Sequence, residues 1–223
     1  MQTFATTAAV QTVLDIPAGQ VRLVASDRSD ATVEVRPADA SKGRDVKAAE
    51  ETTVEFRDGV LRIAAAPASS RIMGNSGQVD VTVRLPAGSH VTATVAAAGF
   101  RTAGPLGEVV LEGAQAQVEV EEATSARLTV QAGDVVLGRL NGPAEISTQK
   151  GDITVTEAAK GAVTLTTQHG DITIGAARGV SATLDAGTGY GRIHNALNNT
   201  DGSAAALTLR ATTAYGDITA RSN

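Results

Sequence analysis

The sequence predicts an all-β fold, a β-solenoid or single-stranded β-helix-like stack of short two-strand coils, and three observations carry that expectation. The first is a motif that keeps returning: Gly133-Asp134-Val135, Gly151-Asp152-Ile153, Gly170-Asp171-Ile172, Gly191-Arg192-Ile193 and Gly216-Asp217-Ile218. The second is the short alternating run before each copy, such as Ala144-Glu145-Ile146-Ser147-Thr148 and Val163-Thr164-Leu165-Thr166-Thr167. Period-two alternation marks a half-buried strand. The third is composition: 42% of residues are hydrophobic but only 2% aromatic, with no Trp. A core of Val, Ile, Leu and Ala suits thin, regular layers. A repeated unit of this size cannot bury its apolar face alone, whereas a stack of units can.

The whole chain, 1–223, reads as one elongated β-repeat domain with a less regular stretch at 1–88. Val13-Leu14-Asp15-Ile16 and Val21-Arg22-Leu23-Val24 are strands either side of the Pro17-Ala18-Gly19 break. Ala31-Thr32-Val33-Glu34-Val35 is another half-buried strand. Residues 37–51, with Lys42, Arg44, Asp45, Lys47 and Glu50, read as an exposed connection holding at most one short helical turn. Thr53–Phe56 and Val60–Ile63 flank Asp58-Gly59, a hairpin signal because this pair supplies two positive φ angles cheaply. Residues 67–78 are Ser- and Gly-rich and predict a mobile loop. Val79–Leu85 is the longest clean alternation and ends in Pro86-Ala87-Gly88, the form already met at Leu14–Gly19.

Residues 89–223 divide into seven approximate coils of about 18–25 residues. Their first strands centre on Ala93, Val109, Leu128, Ile146, Leu165, Leu184 and Leu209. The second strands centre on Arg101, Val118, Val135, Ile153, Ile172, Ile193 and Ile218. The last coil is longer because residues 195–203 insert a polar loop. Glycines mark the corners, where a positive φ is tolerated without a Cβ clash.

Charge and composition exclude several function classes. A net charge of −5 argues against nucleic acid, whose phosphates require clustered Lys and Arg, and against an anionic membrane surface. With no cysteine, thiolate metal sites, disulfides and cysteine nucleophiles are ruled out. No apolar stretch reaches the roughly 20 residues of a membrane span, and no signal-peptide pattern opens the sequence. The expected location is therefore cytoplasmic.

No catalytic, metal or cofactor site emerges. The column Asp134, Asp152, Asp171 and Asp217 lacks the nonapeptide of calcium β-rolls, and each Asp is expected to bond backbone N–H groups near its own turn. Gly187-Thr188-Gly189-Tyr190-Gly191 lacks the Lys-Ser/Thr and helix of a phosphate loop and reads as a corner. His90, His169 and His194 fall at different repeat positions without zinc spacing, and outward threonines are ordinary solvated strand residues. One column supports an interaction surface. The residues before the corner glycines are Ala132, Lys150, His169, Tyr190 and Tyr215, so both tyrosines of the chain share it, beside Arg192 and Asp217. Exposed aromatics with charged neighbours favour recognition. Tyr190, Arg192, Tyr215 and Asp217 are the candidate surface.

The Leu85-Pro86-Ala87-Gly88-Ser89 turn, followed by Gly133-Asp134-Val135, Gly151-Asp152-Ile153, Gly170-Asp171-Ile172 and Gly216-Asp217-Ile218, resembles a bacterial β-strand-repeat family of unknown function labelled "putative adhesin", and its actinobacterial members most of all. The resemblance implies a β-helix-like fold and supplies no catalytic residues. The expected function is a non-enzymatic binding or scaffold protein. Its alternatives are a polysaccharide-acting β-helix enzyme, for which five aromatic residues line a groove poorly, and a self-assembling structural protein. Because only five residues follow Ile218, the last coil is expected to leave an open C-terminal sheet edge, giving a homo-oligomer or a protein partner there.

Overall fold

A computed structural model describes residues 1–65 and 77–223; the loop expected at 67–78 lies, up to residue 76, outside the described residues. In chain order the elements are β1 (Gln2–Ala5), β2 (Gln11–Ser26), β3 (Asp30–Pro37), α1 (Gly43–Glu51), β4 (Thr53–Arg57), β5 (Val60–Ala64), β6 (Val79–Pro86), β7 (His90–Gln115) and β8 (Val118–Ala132). There follow β9 (Val135–Leu140), β10 (Ala144–Lys150), β11 (Ile153–Ala158), β12 (Gly161–His169), β13 (Ile172–Ala176), β14 (Ala182–Tyr190), β15 (Ile193–Ala196), β16 (Leu207–Tyr215) and β17 (Ile218–Ser222). The solenoid expected from the repeat is present. Each coil is one strand, a glycine corner and a second strand, and coils stack in parallel so that two columns of strands face each other across a thin core.

In the middle of the stack the order follows the sequence. β8 pairs β10 and β10 pairs β12 in one column; β9 pairs β11 and β11 pairs β13 in the other. The buried second-strand residues Val118, Val135, Ile153, Ile172 and Ile218 lie directly over one another. Their side chains are fully buried. Alternation places Ile153 and Val155 inside and Thr154 on the outer face.

After β13 the sequence order breaks. β16 pairs β12 on one side and β14 on the other, while β17 sits between β13 and β15. The last coil in the sequence is therefore inserted one rung in, and β14–β15 forms the outermost rung. This corrects the expectation that the coil of Leu209 and Ile218 closes the stack. The polar insertion at 195–203 has its physical reason here, because the chain must step back past β14–β15 to enter the gap. Ser181 ties that return down, its hydroxyl accepting the N–H groups of Thr200 and Asp201, both at 3.1 Å.

The register also corrects the alignment of the last two first strands. Leu165 stands opposite Ala211, and Ala211 opposite Ala186, whereas Leu209 and Leu184 continue the column of Val163. Below, the same two columns read Ala126, Ala144, Val163 and Leu128, Ile146, Leu165. Bulk has moved from one inward position to its neighbour, which keeps the layer filled. Centring on the largest residue thus misplaces the register by two.

The N-terminal end is built differently. β2 runs through both columns, with β5 and β6 on one side of it and β7 on the other. Beyond these, β4 pairs β5 and the series β6, β3, β1 continues, all antiparallel. The Asp58-Gly59 hairpin forms with φ of 52° and 76°. Within the connection expected to be exposed lies the nine-residue helix α1, a third correction. Ala48 and Ala49 pack on the core, and Asp45 is buried, its carboxylate accepting the Gln78 N–H at 3.0 Å. The spacing of 45, 48 and 49 is helical, but a buried Asp conceals that stripe in a hydropathy pattern.

Candidate functional site

The repeating Gly-Asp corner builds a ladder along one side of the stack. At Gly151 (φ 144°) and Gly170 (φ 155°) a Cβ would fall on the glycine carbonyl oxygen of the rung below, so the corners stack too closely for any side chain. The aspartates bridge the rungs. Asp134 Oδ1 accepts the Asp152 N–H at 2.9 Å, Asp152 Oδ1 the Asp171 N–H at 2.8 Å, and Asp171 Oδ1 the Asp217 N–H at 2.7 Å. Asp217 Oδ1 in turn accepts the Arg192 N–H at 2.8 Å. Each Asp therefore satisfies a donor of the following rung rather than one of its own turn, as had been expected. Rung-to-rung hydrogen bonds offset the stacking of like charges.

Beside this ladder runs a second, inside the corner. The Thr167 hydroxyl donates to Gly151 O at 3.1 Å, Thr213 to Gly170 O at 3.0 Å and Thr188 to Gly216 O at 2.9 Å. Thr148, their neighbour below, is buried like Thr167 and Thr213 but makes no such bond.

The structure brings the four candidate residues together at the outer end. Lys150, His169, Tyr215 and Tyr190 follow one another in register. The His169 and Tyr215 rings stack at 4.9 Å and 11°, the Tyr215 and Tyr190 rings at 5.0 Å and 4°. Tyr190 ends the pile with one ring face free and is 70% exposed; Tyr215 is 50% exposed. Arg192 projects beside them and its Nη2 reaches Asp217 Oδ2 at 3.1 Å. The Arg192 N–H and then its guanidinium hold the Asp217 carboxyl below the ordinary carboxylate value.

This arrangement offers a flat aromatic face, a planar donor fork and an uncovered strand edge, which are recognition chemistry. Arg192 was a legible signal for the edge. The outermost rung has no rung above it whose N–H an Asp would need to accept, and there the repeat switches to Arg. A site that sequence reasoning missed is a polar cleft of ≈ 530 Å³ near the N-terminal end, where Gln20, Arg22, Asp80, Arg101, Gln117 and Glu119 are among the lining side chains. Arg101 and Glu119 pair across one wall at 2.8 Å. Its glutamines come from separate rungs and form no motif in sequence. Among the described residues no group of three His, Asp or Glu is placed to hold a metal ion, and no helix is long and apolar enough to cross a membrane.

One of the similar solved structures shares this architecture. A "putative adhesin" from Parabacteroides distasonis ATCC 8503 is 17% identical, with 98% of this chain and 95% of that one covered and a TM-score of 0.56. A "putative adhesin" from Bacteroides fragilis NCTC 9343 is 12% identical over 98% and 95% of the two chains, with a TM-score of 0.47. No protein of curated function matches the chain. The family profile described as Toastrack DUF4097 matches residues 10–221 of the 223, and the protein belongs to that family.

Proposed function

We propose that the chain is a non-catalytic binding protein and that its recognition surface is the outer end of the stack, formed by Tyr190, Tyr215, Arg192 and Asp217. The observation that carries this reading is where exposed apolar bulk collects. Of the five large hydrophobic side chains exposed among the described residues, Tyr190, Ile193 and Tyr215 belong to the outermost rung and its neighbour. Scattered exposed residues need no explanation, whereas a contiguous patch rimmed by charge does. An adhesive role, which the description of the Parabacteroides protein carries, is one use of such a surface. The partner is another molecule, not nucleic acid.

The test is capture of bacterial surface and cytosolic extracts on immobilised protein, wild type against Tyr190→Ala/Tyr215→Ala. Both tyrosines are at least half exposed, so the variant retains its fold, which circular dichroism checks. Components held by the wild type and lost by the variant support the proposal. An identical set held by both proteins overturns it.

A further inference from the structure

We infer that the β14 edge takes up an extended peptide strand of apolar alternation that ends in an aromatic-x-acid sequence, in parallel with β14. The inference rests on the binding reading above and names the partner's chemistry. β14 pairs β16 on one side only; on the other the 195–203 insertion takes the Ala182 N–H, which donates to Asn198 O at 3.0 Å, and an edge from Thr183 to Tyr190 is left. Natural edges are shielded by Lys, Pro, bulges or brevity. From Thr183 onward this one has none of these, and its single charge, Asp185, is engaged by Arg210 at 3.1 Å. Above the edge the core is uncovered. Ile193 is 45% exposed, whereas Ile153, Ile172 and Ile218 of the same column are fully buried. Leu184 and Ala186 are likewise half-buried where their column mates are buried.

The occupant is defined by what already lies on the other side. β16 and β17 meet this rung with Tyr215 stacked on Tyr190 and Asp217 held by the Arg192 N–H and guanidinium. The second face of Tyr190 is open, and Arg192, whose side chain is 90% exposed, keeps donors in solvent besides the Nη2 that reaches Asp217. A strand in the same register would set an aromatic ring on Tyr190 and a carboxylate two residues later against Arg192. It would leave the stack at that corner, because Arg192 offers a donor where the four rungs below offer an Asp acceptor for the next N–H. Strand addition with side-chain pockets of this kind is a recurrent mode of peptide recognition.

Charge favours a peptide with a carboxylate at its corner over a second copy of the chain, which meeting end to end would set Arg192 against Arg192. Residues 177–223 carry four arginines against three aspartates, a local +1 on a chain of net −5. Two copies meeting end to end would oppose two such ends. A head-to-tail pair would need the N-terminal end, which antiparallel strands and the Phe4–Phe56 pair close.

The probe is a synthetic peptide of residues 207–217 carrying Tyr215→Phe. The protein has two tyrosines and no Trp, so its intrinsic emission reports this site alone. Saturable quenching or shift of that emission is expected. Arg192→Glu weakens binding about tenfold or more, and a peptide also carrying Asp217→Lys recovers affinity for that variant. Gly187→Lys, a charge placed on the outer face of the edge where a side chain meets nothing within 4 Å, abolishes binding while circular dichroism shows the fold retained. No emission change at roughly millimolar peptide, or affinity unaltered by Arg192→Glu, overturns the inference. Tyrosine-dependent capture of extract components without peptide binding overturns strand addition alone. Peptide binding with capture unaffected by the tyrosine variant removes the wider reading and supports strand addition.

Discussion

At the N-terminal end of the stack, strand direction reverses. β1 and β4 run antiparallel to their neighbours, Phe4 and Phe56 meet 5.3 Å apart over the core, and α1 lies against β3. At the other end the parallel repeat stops at β14–β15, with Ile193 and Tyr190 exposed, Leu184 half-buried and only the 195–203 insertion over it, through Leu197 and the Ala182 N–H bond to Asn198 O. The same layered core is thus closed by a purpose-built lid at one end and left open at the other. Repeat proteins need capping units with a polar outer face, and only the first end has one. What the second end has instead is a change of a single corner residue, Asp to Arg.

Substitutions in one column sharpen this contrast most. Ile153→Ala, deep in the stack, is expected to cost about 3–4 kcal/mol, and Ile193→Ala about 1 kcal/mol or less, measured by urea unfolding. Equal costs would mean that a bound layer covers the outer rung in solution. Next in size, Phe56→Ala removes half of the aromatic lid and is expected to cost about 2 kcal/mol. Tyr190→Ala at the open end is expected to cost about 0.5 kcal/mol. If Tyr190→Ala proves the more damaging, the tyrosine stack is structural rather than a recognition surface. Smaller still is the threonine ladder. Thr167→Val loses a buried hydrogen bond and lowers stability by about 1 kcal/mol, whereas Thr148→Val removes an unpartnered hydroxyl and leaves the melting temperature unchanged or raised.

The smallest effect is on acid behaviour at the open end. The Asp217 carboxyl lies below its ordinary value of 3.8, chiefly through the Arg192 N–H and then through the guanidinium. A carboxylate depressed in the folded state gives stability that is complete above its unfolded value and disappears as pH falls through the folded one. Tyrosine emission followed downward from pH 5 should therefore change only below the ordinary carboxylate range. In Arg192→Ala, which keeps the N–H, the change should move to slightly higher pH; no movement would show that the side-chain contact is idle.

Much of the fold is legible in the sequence because stacked coils repeat their requirements. Gly151 and Gly170 recur where no Cβ fits, and Ile153 and Ile172 recur where the layer is filled. Rung order is not legible, because Leu184 and Leu209, Ile193 and Ile218, and Tyr190 and Tyr215 satisfy the same local demands in either place. The length of helix α1, beyond the single turn expected, was not legible because its inward residues are Asp45 and two alanines. The polar cleft escaped because Gln20 and Gln117 are brought together only by stacking. The grouping of Tyr190, Arg192, Tyr215 and Asp217 was visible because all four belong to the same corner column.

The inserted last coil poses a sorting problem during synthesis. β14–β15 leaves the ribosome before β16–β17 and finds the top of β12–β13 vacant, a place it could occupy with much the same contacts. In the wrong order, Arg192 would occupy an inner rung and provide no acceptor for the N–H of Asp217, while the Asp217 carboxylate would face solvent unused. In the right order every corner N–H from Asp152 to Arg192 is matched. The exchange of Asp for Arg192 at one corner therefore favours placing β16–β17 inside and β14–β15 outside, because that order leaves each of these corner N–H groups its acceptor.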